Sequence, residues 1–158
     1  MPPSFFLMEK DMEITIRRAT LEDKPDWLRM RLLLWIYSAA HELEPELDTI
    51  LADPGQAVFI ASAFDGRCVG FVEAATRTYA EGCATSPVGY IEGWYVDEDL
   101  RGQGIGTRLV TTAEEWARQK GCQEMASDTW LDNDASIYAH IRMGYQEVER
   151  LVHFVKRF

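Results

Sequence analysis

The stretch Tyr90–Thr107, YIEGWYVDEDLRGQGIGT, decides how this chain folds. It opens with apolar and aromatic residues suited to a strand, Tyr90 to Val96, and passes through the acidic turn Asp97-Glu98-Asp99. The glycine-dense run Arg101-Gly102-Gln103-Gly104-Ile105-Gly106 follows, and then a segment with helical spacing. Glycine lets a backbone approach a ligand closely, and a helix N-terminus favours an anion. A phosphate or pyrophosphate is therefore expected on Arg101–Thr107. A P-loop would need Gly-Lys before Ser or Thr, but Gly106 is followed directly by Thr107. A dinucleotide turn would need G-x-G-x-x-G, whereas the spacing here is G-x-G-x-G.

Outward from that turn, the pattern continues on both sides. Ile105, Leu109, Ala113 and Trp116 share one face of a helix expected over Gly104–Lys120, closed by Gly121. A strand at Cys122–Asp128 and a helix at Asn133–Met143 come next, and Tyr145–Arg157 is expected to be a final strand. Upstream, Glu13–Arg18 alternates as a first strand. Thr20 with Asp23 then signals a helix start, with Pro25 in the first turns. Trp27, Leu28, Leu32 and Trp35 follow at helical spacing. A second helix at about Glu44–Ala52 is stopped by Asp53-Pro54-Gly55, and its Glu42, Glu44, Glu46 and Asp48 read as a solvated face, with a substrate-facing role as the alternative. Ala57–Phe64 and Arg67–Tyr79 are strands joined at Asp65-Gly66, and Ala80–Pro87 is a loop. The order β-α-α-β-β-β-α-β-α-β makes strands 4 and 5 parallel across a crossover, in an otherwise antiparallel sheet.

Composition sets bounds. The 158 residues suit one domain with one substantial core. A formal net charge of −10 disfavours nucleic acid, which needs cationic phosphate contacts, and suits a cationic substrate. Cys68, Cys83 and Cys122 are odd in number and form no C-x-x-C. They suggest neither a disulfide framework nor zinc, and they fit a reducing cytoplasm. His41, His140 and His153 lack metal-ligand spacing, and no metal is expected. No apolar run approaches the ~20 residues needed to span a bilayer, so no membrane partner is expected. The start MPPSFFLMEK lacks a basic region and makes a poor signal peptide. Residues 1–11 read as an extension, disordered or left over from a tag, ahead of a single domain at 12–158. Met8 or Met12 is an alternative start.

The pattern Arg/Gln-x-x-Gly-x-Gly/Ala at Arg101, Gly104 and Gly106 resembles the pyrophosphate loop of the GNAT superfamily, whose members bind acetyl-CoA. The resemblance implies the GNAT fold, an α/β (mixed α+β) architecture. Its central sheet is mixed and mostly antiparallel, strands 4 and 5 splay apart, and helices cover both faces. It places the cofactor on Arg101, Gly102, Gln103, Gly104, Ile105, Gly106 and Thr107, with Asn133 at the last helix. Backbone N–H groups around Trp94, Tyr95 and Val96 would face the thioester oxygen. Further segments are similar to the aminoglycoside 6'-N-acetyltransferases. These are Leu34-Trp35, Tyr79-Ala80-Glu81-Gly82 with Thr85-Ser86-Pro87, and Ile91-Glu92-Gly93 with Tyr95-Val96. Glu124–Thr129 and Gly144-Tyr145 with Glu147–Arg150 complete the set, so the similarity runs from about Met12 onward.

That narrower resemblance implies acetyl transfer to the 6'-amine of aminoglycoside antibiotics, a role in antibiotic resistance, and a homodimer. It marks Trp35 and Tyr79 as an aromatic wall and Glu92, Asp128 and Glu149 as substrate carboxylates. The residue types agree, since a polycation needs charged acceptors and aromatic faces. Trp35 is equally well a core residue of an amphipathic helix, and Glu149 an exposed strand carboxylate. An ammonium must lose a proton before attacking a thioester, and Glu92, with Asp128 beside it, is the first candidate acceptor. Both are alternatively binders that orient the amine. Many GNAT enzymes carry a Tyr four residues before the Gly of the final Gly-Phe/Tyr; here that position is His140. Tyr138 sits about 200° round the helix from that position. His140 is a candidate acid for the leaving thiolate, or a packing residue, with solvent as the proton source. Other cationic amines, namely a polyamine, an amino acid or a protein N-terminus, fit the same carboxylates. A non-catalytic acyl-CoA-binding module fits the loop alone.

Overall fold

Hairpins make neighbours in sequence into neighbours in the sheet. The computed structural model describes residues 13–158, so the expected extension at 1–11 and the domain start at 12 lie outside the described residues. Strands β1 (Ile14–Arg18), β2 (Gln56–Ala63), β3 (Cys68–Arg77) and β4 (Val88–Val96) are joined antiparallel, and β5 (Met125–Ser127) adds parallel to β4. The sheet order is β1-β2-β3-β4-β5. Asp65-Gly66 makes the β2–β3 turn, with Gly66 at φ +84° and the Arg67 N–H donating to Asp65 Oδ1 at 3.0 Å.

Four helices, α1 (Lys24–Leu34), α2 (Ala40–Ala52), α3 (Ile105–Gln119) and α4 (Asp134–Arg142), complete the described chain. Thr20 and Asp23 start a 3-10 turn that leads into α1, and the Asp23 carboxylate accepts from the Thr20 N–H at 2.8 Å. The α3 stripe works as its spacing implies. Ile105, Leu109, Ala113 and Trp116 are buried against Val69, Val72 and Ile91 of the sheet. On the other face, Trp27 and Met30 of α1 and Leu47 of α2 pack on Val58, Ile60 and Phe71. Each such fully buried side chain contributes about 2 kcal/mol of apolar transfer. The helix carboxylates expected to be merely solvated are partly engaged: Glu46 pairs with Arg31 and Asp48 with Lys24.

Two expected strands change. β5 is three residues, not Cys122–Asp128, because the Cys122 N–H is tied back to Ala117 O at 3.0 Å as α3 ends. The final strand over Tyr145–Arg157 is absent, a correction with a plain cause. A strand exists through its ladder, and among the described residues no strand pairs with that segment. Val148, Leu151, Val152, Phe154, Val155 and Phe158 are exposed instead. Among the described residues no helix is long and apolar enough to cross a membrane.

Candidate active site

The turn into α3 is built to leave backbone amides free. Arg101 donates Nε–H to Val96 O at 2.8 Å and lies over the Tyr95 ring, which ties the turn to the end of β4. Gly102 and Gly104 sit at φ +80° and +83°, a conformation that costs other L-residues about 1–2 kcal/mol. Gly104 is the N-cap of α3 and supplies no capping side chain. The first bond into the helix runs from the Arg108 N–H to Gly104 O at 3.1 Å. The amides of Ile105, Gly106 and Thr107 therefore have no intrahelical carbonyl to reach, and they stand at the positive end of the helix. This cradle fits a pyrophosphate. Gly106 packs under Trp94: a Cβ there would lie 2.9 Å from the indole.

The second feature is a break in β4. Glu73 pairs with Gly93 but Ala74 pairs with Ile91, so Glu92 is the extra residue of a β-bulge. The β4–β5 ladder ends at Ile91 and Ser127. Beyond those residues the two strands no longer pair, which is the expected splay. At this point four polar side chains meet. Glu92 accepts from Arg77 at 2.9 and 2.7 Å, Arg77 covers the Tyr90 ring, and the Tyr90 hydroxyl donates to Asp128 at 2.6 Å. Burial, followed by the bond to Asp128, pushes the Tyr90 hydroxyl pKa upward. Glu92 and Asp128 thus belong to one connected cluster.

The remaining expected residues divide. Trp35, the residue that ends α1, packs on Phe71 and under Arg31, and its ring abuts Gly93, where a Cβ would lie 2.8 Å away. Tyr79 is exposed just past β3. Asp128 and Glu149 line a groove of about 580 Å³ along the free edge of β5, and Trp35, Tyr79 and Glu92 do not. Asn133 caps α4 through Oδ1, which accepts from the Ser136 N–H at 3.1 Å. His140 faces inward, edge-on to Trp94 and Tyr145, while Tyr138 is exposed on the far side of α4. His140 Nδ1 is 2.7 Å from the Ser136 carbonyl and Nε2 is 2.8 Å from Ser127 Oγ. Since a carbonyl only accepts, this pairing assigns the proton to Nδ1 and leaves Nε2 to accept from Ser127. Among the described residues no cluster of His, Cys, Asp and Glu could hold a metal ion.

The profile of the acetyltransferase (GNAT) family matches residues 24–145. The chain belongs to that family. An aminoglycoside N(6')-acetyltransferase type 1 of Stenotrophomonas maltophilia is 44% identical over 141 residues, covering 89% of this chain and 91% of that protein. One of Klebsiella aerogenes is 43% identical over 150 residues, covering 92% and 98%. The structure of AAC(6')-Iy in complex with the bisubstrate analog CoA-S-monomethyl-acetylneamine superposes with a TM-score of 0.86. It is 34% identical, and the match covers 92% of this chain and 99% of that one.

Within this GNAT domain, three features escaped the sequence reading. The bulge at Glu92 gives no local signal except Gly93 beside it. Arg77 and Tyr90 carry no signal of their own because each is ordinary in its strand, and only the register brings them to Glu92 and Asp128. The third is a buried group behind Trp35. Glu73 and Arg31 are nearly inaccessible, with Arg31 Nε 2.8 Å from Glu73 Oε1, although its N–H is not aimed there. The Trp27 Nε1–H donates to Glu73 at 2.8 Å. Burial pushes the Glu73 carboxyl up to about 7, against the pull of Arg31 and Trp27.

Proposed function

We propose that this chain acetylates the 6'-amine of aminoglycoside antibiotics, with acetyl-CoA as donor, in a ternary complex, and so serves antibiotic resistance. One observation carries the reading. The Glu92–Asp128 cluster lies where β4 and β5 part, in a GNAT chain more than two-fifths identical to proteins named for that activity. The free amides of Ile105–Thr107 would hold the cofactor pyrophosphate, with the Asn133 end of α4 beside the pantetheine arm. Bound acetyl-CoA supplies an activated thioester carbonyl. Backbone N–H groups of Trp94–Val96 that face away from β3, past the end of the β5 ladder, would bind that carbonyl oxygen.

A 6'-ammonium is a charged donor that cannot attack until it loses a proton. Glu92 and Asp128 are the acceptors at hand, directly or through water. Trp35, braced by Arg31 and Phe71, and the exposed Tyr79 would flank the sugar rings, and Glu149 would take a further amine. His140 Nε2 is engaged with Ser127 Oγ and Nδ1 with the Ser136 carbonyl. Protonation of the thiolate by solvent is the simpler route, with His140 holding Ser127 and α4 in place. Thiol release from acetyl-CoA tests the reading. Kanamycin A or tobramycin is expected to accelerate release at least ~100-fold over acetyl-CoA alone, within the acid–base and proximity effects available. Acceleration by spermidine but not by either drug would overturn it.

We also infer a homodimer. The tail after Tyr145 carries apolar side chains into solvent, and the free edge of β5 opens a groove of about 580 Å³. A second copy supplies what each lacks, a partner strand for the tail and a neighbour for β5. Sedimentation of the full chain should give twice 18.1 kDa. A single-copy mass at micromolar concentration would contradict this.

A further inference from the structure

Glu92 already holds a cation. The Arg77 guanidinium grips both its oxygens, Nε to Oε1 at 2.9 Å and Nη2 to Oε2 at 2.7 Å. The same guanidinium carbon lies 3.4 Å from the centroid of the Tyr90 ring, whose hydroxyl is bonded to Asp128. A cation bonded to one carboxylate, on the face of a ring whose hydroxyl is bonded to a second, has the surroundings that a substrate ammonium requires. Arg77 fills them from within the chain.

The pair is placed to open. Arg77 is the last residue of β3, and the side chains of Arg77 and Glu92 are 40% and 30% exposed. Half-exposed ion pairs are weakly held and compete with water and other ions. The contrast with Arg31–Glu73 is direct. That pair is 4% and 5% exposed, with Trp27 bonded to the carboxylate, and it has no route to exchange. A tethered guanidinium also competes at a high local concentration. One free ammonium displaces it poorly. A ligand with several ammonium groups can anchor on other carboxylates first and then take Glu92.

We propose that Arg77 is an internal counterion that occupies the amine subsite until substrate displaces it, and that this competition selects polycationic over monocationic amines. The proposal rests on the aminoglycoside reading and assigns Arg77 as a specificity-determining residue.

Two measurements test it, both with CoA saturating. The first is calorimetry with kanamycin A and with methyl 6-amino-6-deoxyglucoside, which carries a single ammonium. Arg77→Gln is expected to bind both about two- to fivefold more tightly, the span an exposed ion pair supports, with the larger gain for the monoamine. Arg77→Lys should stay near the parent. Arg67→Gln, in the β2–β3 turn, should change neither and so controls for net charge. Equal or weaker binding by a folded Arg77→Gln variant would overturn the proposal. The second needs no variant. The Arg77 Nε–H resonance should move towards the free-arginine position when kanamycin A saturates the enzyme. A saturated complex with that resonance unmoved would also overturn the proposal. Absence of any kanamycin binding by the parent protein would instead remove the aminoglycoside reading on which it rests.

Discussion

Glu92→Gln is expected to lower kcat/KM for kanamycin A by about 100-fold, the lower part of the range for loss of a positioned proton acceptor. Glutamine keeps the length and shape of the side chain, so the bulge at Ile91-Glu92-Gly93 should survive. What disappears is the negative charge and its capacity to take a proton. The partition of the loss identifies the role. A fall in kcat marks an acceptor that acts in the transition state, and a rise in KM with kcat unchanged marks a residue that only binds the ammonium. Asp128→Asn should give a loss of the same kind and also remove the acceptor of the Tyr90 hydroxyl. A Glu92→Gln variant within about twofold of the parent would take Glu92 out of the chemistry, since even one positioned acid–base group is worth far more.

Gly104→Val is expected to weaken CoA binding at least tenfold, with a modest loss of stability. Two effects separate here. Among the described residues nothing lies within 4 Å of a Cβ at Gly104, so there is no clash to relieve. The backbone, however, is at φ +83°, which a β-branched residue adopts at a cost on the order of 1–2 kcal/mol. Easing that cost turns the peptide and takes the amides of Ile105–Thr107 out of their common direction. The added methyl groups also occupy the space in front of them. Calorimetry with CoA together with thermal melting checks both effects, and an unchanged Kd in a folded variant would remove this turn from the cofactor site. Gly106 is not an equivalent probe, because a Cβ there meets Trp94 at 2.9 Å and disturbs packing directly.

The residues that could be read from the sequence are those whose behaviour is set locally. Gly102, Gly104 and the stripe Ile105–Leu109–Ala113–Trp116 carry their conformation in their own spacing. The turn, α3 and the parallel β4–β5 crossover follow from that spacing. Glu92 is visible as a carboxylate in an otherwise apolar strand. That it sits on a bulge did not show, because a bulge depends on what β3 places opposite. Arg77 and Tyr90 are similar: neither is unusual alone, and the register that joins them to Glu92 and Asp128 is a property of three strands together. The tail misled for the opposite reason. Tyr145–Arg157 reads as a strand, but a strand needs a ladder, and among the described residues no strand pairs with it. Trp35 has two readings, core and wall, and its contacts bear on the first. It packs on Phe71 on one side and abuts Gly93 of β4 on another.

The position of the acetyl group on the product is the most direct measure of what this site does. If the Glu92–Asp128 cluster holds one amine against the thioester, a single nitrogen of kanamycin A should be modified. Two-dimensional NMR of the purified product should show one N-acetyl group, with its amide proton coupled to the 6'-methylene. A kanamycin-class drug with a 6'-hydroxyl should bind yet release almost no thiol. Acetylation at a deoxystreptamine or 3''-amine, or a mixture of positions, would contradict the account.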